Sequence, residues 1–163
     1  MTDPLRLLRT ALDETIARFA ADAGYRGALV ALSTYLSKIA HGPGSEDDLL
    51  PSWNDLPWTF FHDGVDSIVL ACPEDGVAAA ALLRYRAGAT VPDHLHTGDE
   101  HIIILSGSQW DERGVYGCGA TIFNPAGSVH SVVSTDGCVV GIWWEKPVRF
   151  LAGGRPSPSR QDR

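Results

Sequence analysis

Apolar and polar positions along the chain follow two different rhythms. Over residues 4–20, Leu5, Leu8, Leu12, Ile16 and Phe19 recur at helical spacing, and over 25–39 Leu29, Leu32, Leu36 and Ile39 do the same. Asp3 and Pro4 suit a helix start, Gly24 separates the two segments, and His41-Gly42-Pro43-Gly44 stops the second. A loop rich in Gly, Pro and acid follows over 41–58, with Trp53 and Trp58 expected to anchor it to the body. From Asp66 the rhythm shortens. Asp66–Cys72, Val77–Arg86, His101–Leu105, Thr121–Phe123, Ser131–Val133 and Cys138–Trp144 read as short strands, with turns at 73–76, 111–114, 124–127 and 135–137. Val77–Arg86 is alanine-rich enough for a helix, but its place between turns and its Tyr85 assign it to a strand. His101–Leu105 is apolar at every position after its first. Ile102 and Ile104 would face one way and Ile103 and Leu105 the other, so both faces of that strand need cover.

Composition narrows the picture. A chain of 163 residues fits one domain with a proper core, and 44% hydrophobic against 20% charged residues is ordinary for a globular protein. Seventeen glycines and ten prolines match an all-β domain of many turns. A net charge of −7 argues against nucleic acid and anionic membranes as partners. Three cysteines (Cys72, Cys118, Cys138), without CxxC spacing, form neither a disulfide framework nor a zinc ribbon and are expected as buried small hydrophobes. No apolar run approaches the ~18 residues of a membrane span, and the N-terminus lacks a signal-peptide pattern. The expected location is the cytoplasm.

The chemistry concentrates in GATVPDHLHTGDEHIIILSG, residues 88–107. On a strand, His94 and His96 project to one face, and Thr97-Gly98-Asp99 lets the chain turn before Glu100. With His130 downstream, three imidazoles and one carboxylate suit a divalent Fe, Mn, Ni, Cu or Zn. His41, His62 and His101 read as ordinary core or surface residues, with His101 pointing away from Glu100. Tyr85, Arg86 and Trp143 are candidate substrate-binding residues, being a phenol, a cation and an aromatic on or beside strands of the same body.

These residues resemble a known family. Gly88, His94, His96, Glu100 and Gly107 match the first cupin motif, G-x5-H-x-H-x3-E-x6-G, at every fixed position. Gly119, Pro125, Gly127 and His130 match the second, G-x5-P-x-G-x2-H-x3-N, with Ser134 in place of the usual Asn. More narrowly, residues 82–138 resemble the cupin subgroup related to the C-terminal domain of ChrR anti-sigma factors, which is also similar to small dioxygenases acting on β-diketones and hydroxyaryl ketones. The resemblance implies an antiparallel double-sheet barrel over 45–151 with the metal inside. Outside it lie a short helical extension (1–44) and a polar, disordered tail (152–163). The anti-sigma proteins carry a separate zinc-binding helical domain with His and paired Cys. The N-terminal segment here has no such cysteines, so a sigma-binding role is not carried over.

The resemblance implies one metal ion held by His94, His96, Glu100 and His130, with Fe(II) favoured and Zn, Mn or Ni as the other choices. Two functions follow. The first is a mononuclear non-haem Fe(II) dioxygenase acting on a small metal-chelating dicarbonyl or hydroxyketone, with Glu100 as the catalytic carboxylate. The second is a non-catalytic, zinc-binding regulatory cupin that senses a small molecule or an oxidant. Either form is expected to be a homodimer.

Overall fold

The structure, a computed structural model, describes residues 53–71 and 80–152 and, before them, only Arg6, Arg9, Thr10, Asp13, Ala17 and Ser33, each in helical conformation. The helices expected over 4–20 and 25–39 lie otherwise outside the described residues. So do His41, Cys72, residues 73–79 and the tail from 153.

Ten strands account for most of the described chain: β1 (Thr59–His62), β2 (Val65–Ala71), β3 (Ala80–Tyr85), β4 (Ala89–Leu95), β5 (Glu100–Asp111), β6 (Gly114–Gly117), β7 (Thr121–Asn124), β8 (Val129–Ser134), β9 (Cys138–Trp144) and β10 (Arg149–Phe150). They hydrogen-bond in the order β1-β2-β3-β9-β5-β8-β4-β10, with β6 and β7 also on β5. Every pairing is antiparallel. This is the all-β cupin architecture that the motifs implied.

The twelve-residue β5 curls the sheet into two layers. Its first part pairs with β7 and β9, whereas Ser108–Asp111 pairs with β6, and Trp110 meets Val133 of β8. The change of layer follows a register shift between Ile104 and Ser106, and Gly107 sits there at φ 70°. A Cβ at Gly107 would lie 2.2 Å from the Gly137 carbonyl oxygen, so only glycine lets β5 pass so close to the turn before β9.

Between the layers, alternate residues of each strand meet in one core: Leu83 and Tyr85, Ala89 and Val91, Ile102 and Ile104, and Cys138, Val140, Ile142 and Trp144. Burying each large apolar side chain contributes about 1.5–3 kcal/mol, which fixes the register, because a slip of one residue would turn all of them outward. Ile103 and Leu105 point the other way and are buried too, as expected for a strand covered on both faces. Double cover also explains Ala80 and Ala81: both are fully buried, and in β3 packing overrides the helical preference of alanine.

Three details depart from the expectations. Strand β1 lies in a stretch not assigned to a strand, because Phe60 and Phe61 are exposed and show no buried alternation. Its hairpin to β2 turns through Asp63-Gly64, with His62 opposite Val65 and Gly64 at φ 73°. The short β6 and β10 were also not anticipated. Finally, Cys138 is buried but Cys118 is exposed, its position on the turn after β6 leaving it outside both layers. Trp58 does anchor its loop: its indole N–H donates to the Trp53 carbonyl, and the Arg84 guanidinium stacks 4.7 Å above its ring. No helix among the described residues is long and apolar enough to cross a membrane.

Candidate metal centre and cavity

Four strands bring the polar residues together inside the curl. His94 and His96 project to one side from the end of β4, and His94 pairs in register with His130 of β8. Glu100 opens β5 opposite Asn124 of β7 and Trp144 of β9. The connecting loop is tied down. Gly127 N–H donates to the His96 carbonyl (2.8 Å) and His96 N–H to the Ser128 carbonyl (3.0 Å). Ala126 N–H donates to Asp99 Oδ1 (2.8 Å), so the turn of the second motif clamps the histidine of the first.

The three imidazoles face one another with centroids 4.7 to 5.0 Å apart, and one nitrogen of each lies within 4.8 Å of the other two. All three are buried. Their hydrogen bonds fix the tautomers. His94 Nδ1 lies 2.9 Å from the Pro92 carbonyl, which only accepts, so Nδ1 carries the proton. His96 Nδ1 lies 3.2 Å from the Ser128 carbonyl and 3.0 Å from Ser128 Oγ, whose own proton goes to the Pro125 carbonyl. His130 Nδ1 donates to Asp111 Oδ2 at 3.0 Å. With Nδ1 so engaged, a neutral ring turns the lone pair of Nε2 toward the common space. That of His130 is buried with no hydrogen-bond partner. Three converging imidazoles with every Nδ1 anchored form a group able to hold a metal ion, and an orphaned buried nitrogen is what such an ion would satisfy.

Electrostatics agree. Burial drives the His94 pKa down to about 4, keeping the ring neutral. Glu100 Oε1 sits 3.2 Å from His96 Nε2 and accepts from Asn124 Nδ2 at 2.9 Å. Burial would raise its pKa, and the Asn124 amide donating to Oε1 opposes this and favours the anion. The His96–Glu100 contact is satisfied by a proton on Nε2 or, in its place, by a cation held by both groups. Asp111, opposed by burial but favoured by His130 and Arg113, is likewise held far below the usual carboxylate range.

Above the histidines opens a cavity of about 400 Å³. Its walls are Leu83, Tyr85, Val91, Ile102, Ile142 and Trp144, and Phe61, Pro147, Val148 and Phe150 add apolar surface. No lysine or arginine lines it among the described residues. Tyr85 lines the cavity. Arg86 does not: its side chain is 68% exposed and pairs with Asp66 at 3.2 Å, alongside Arg84 at 2.8 Å. Trp143 is corrected as well, because strand parity puts it on the outer face beside His101, ring centroids 5.5 Å apart, and gives the cavity to Trp144. His101 does point away from Glu100 and also stacks on Phe123 at 4.8 Å.

Sequence reasoning missed the groups that orient the ligands: Asp111, Asn124, Ser128 and Arg113. Asn124 and Ser128 flank the second motif's turn, and their polar side chains beside Pro and Gly read as turn chemistry. Asp111 and Arg113 read as a hairpin, which they also form.

An antiparallel double-layered barrel with a buried histidine trio on its inner strands defines the class: this is a cupin. The chain belongs to the ChrR cupin-like domain family, whose pattern matches residues 46–144. It is 33% identical over 98 residues to the anti-sigma-E factor ChrR of Cereibacter sphaeroides, covering 59% of this chain and 45% of ChrR. It thus spans less than half the length of that relative. Among solved structures it resembles an acetylacetone dioxygenase from Acinetobacter johnsonii, with TM-score 0.54 and 15% identity over 69% of this chain and 82% of that one. It also resembles a chain of the Rhodobacter sphaeroides SigE complex with anti-sigma ChrR, with TM-score 0.52 and 21% identity over 86% and 96% of the two chains. At such identities the structural likeness speaks for the fold.

Proposed function

We propose that this cupin binds one divalent transition metal through His94, His96, His130 and Glu100 and acts as an Fe(II)-dependent dioxygenase on a small, uncharged dicarbonyl or hydroxyketone. The observation that carries the reading is the apolar cavity of about 400 Å³ lined at its base by His94, His130 and Glu100 of the candidate ligand set. A closed structural site needs no such space, and pockets for small ligands begin at ~300 Å³. When bound, a redox-active divalent ion supplies Lewis acidity and a path for electrons to O₂. The chain does the rest. The apolar walls strip water from the ligand, and Tyr85 offers a hydroxyl for orientation. Glu100 offsets part of the cationic charge, so Glu100→Gln retains some metal but changes turnover. The absence of a lining lysine or arginine among the described residues selects against carboxylate substrates.

The test has two arms. Metal analysis should find near-stoichiometric metal in wild type and little in His96→Ala; equal loading of both, or of neither after reconstitution with Fe²⁺, Mn²⁺, Ni²⁺ and Zn²⁺, refutes the site. Oxygen uptake with β-diketones and hydroxyacetophenones should appear with Fe²⁺ and be absent in the metal-free and Zn²⁺ forms. The likeness to an anti-sigma factor favours a second reading, a zinc-holding sensor without turnover. Silence across the whole substrate panel in all three forms decides for it. In either form we propose a homodimer; a monomer mass by light scattering at micromolar concentration refutes that.

A further inference from the structure

The four candidate ligands are not oriented alike. His94 is set by the Pro92 carbonyl and His96 by Ser128, backbone or loop groups that β4 and the β7–β8 turn hold in place. His130 and Glu100 are set by side chains instead, Asp111 for the first and Asn124 for the second. Those two side chains meet at a single atom. Arg113 Nη2 donates to Asp111 Oδ2 at 2.6 Å and to Asn124 Oδ1 at 2.6 Å, and it lies 3.3 Å from His130 Nδ1.

We propose that Arg113 is a positioning residue that fixes His130 and Glu100 together and so sets the affinity and ligand field of the metal centre. This rests on the reading of the histidine trio as a metal site. The argument is one of donors and acceptors. A guanidinium only donates, so Asn124 must turn its oxygen to Arg113, which leaves its NH₂ for the Glu100 carboxylate. Without Arg113 the amide is free to flip, presenting oxygen to oxygen at Glu100. Nη2 has two hydrogens, and one serves each relay. Arg113 also holds Asp111 with Nε at 3.0 Å, while its backbone N–H donates to Asp111 Oδ1 at 2.8 Å, so the carboxylate that orients His130 is gripped from both sides. The Arg113 side chain is 44% exposed and stands on a hairpin turn, so its loss need not unfold the barrel. Lysine cannot replace it: a single ammonium lacks the planar fork that reaches both partners in fixed directions.

The experiment compares wild type, Arg113→Met and Arg113→Lys by competition of Zn²⁺ and Co²⁺ against a chelator and by the visible spectrum of the Co²⁺ form. Thermal melting of the metal-free proteins serves as the folding control. Expected are metal-free melts close to wild type and affinity at least about tenfold weaker in Arg113→Met, as for other groups that orient metal ligands. Arg113→Lys should be intermediate, and the Co²⁺ bands should shift in both variants. Affinities within twofold of wild type with unchanged Co²⁺ bands overturn the proposal, and Arg113→Lys decides alone if Arg113→Met does not fold. A wild-type protein that takes up neither metal overturns the site itself, and the positioning role with it.

Discussion

Gly107 and Asp66 show how much single positions carry. At Gly107 a left-handed φ and a neighbouring carbonyl both exclude a side chain, so Gly107→Ala is expected to destabilise the protein by about 2 kcal/mol or more. Gly117→Ala is the contrast: nothing lies within 4 Å of its Cβ position, and its denaturant midpoint should stay near wild type. Asp66 predicts a pH dependence. The Arg84 hydrogen bond, followed by the charge of Arg86 and opposed by burial, holds Asp66 below its ordinary value of 3.8. A carboxyl whose folded pKa is depressed stabilises fully above its unfolded value and loses that contribution as pH falls through the folded one. Melts of metal-free wild type and Asp66→Asn should therefore differ by a constant amount from pH 7 to about pH 5 and converge below about pH 4. Curves that stay parallel down to pH 3 would show that the pair contributes nothing.

Among the elements, strand parity separates residues that look equivalent in sequence. Trp143 and Trp144 are adjacent on β9, yet only Trp144 faces the cavity, while Trp143 covers His101 on the outside. Trp144→Ala should change ligand or substrate affinity several-fold. Trp143→Ala should lower the melting temperature and leave that affinity unchanged. The opposite pattern in calorimetry would mean the parity of β9 is misread. Burial also explains what the sequence disclosed. Short continuous apolar runs between turns exposed β9, the centre of β5 and most of β2 and β3, and the fixed spacing of the two motifs exposed His94, His96, Glu100 and His130. Strands without a buried face, such as Thr59–His62 and Arg149–Phe150, leave no such trace. Asp111 and Arg113 stayed hidden because their turn-forming role accounts for them completely at the level of sequence. Their second role depends on β8 lying beside the end of β5, which no local pattern announces.

At the scale of the whole molecule, the candidate ligands come from the end of β4, from β5 and from β8, so a bound ion would tie distant parts of the chain. Metal that binds only the folded form adds about 2.7 kcal/mol when free metal exceeds Kd a hundredfold. Adding Zn²⁺ to metal-free protein should therefore raise the melting temperature by several degrees and EDTA should reverse it, while His130→Ala should respond to neither. An unchanged wild-type melt would separate the trio from folding stability.

The place of β9 has a consequence for how the protein is made. It sits between β3 and β5 in the sheet, although the ribosome delivers both of those strands long before it. Until Trp144 has left the exit tunnel, β3 and β5 have no strand between them to join the two parts of the sheet. Closure of the barrel is thus a late, long-range event of the kind that takes milliseconds to seconds. A nascent chain stalled before β9 would present apolar strands with open edges, the species that chaperones recognise.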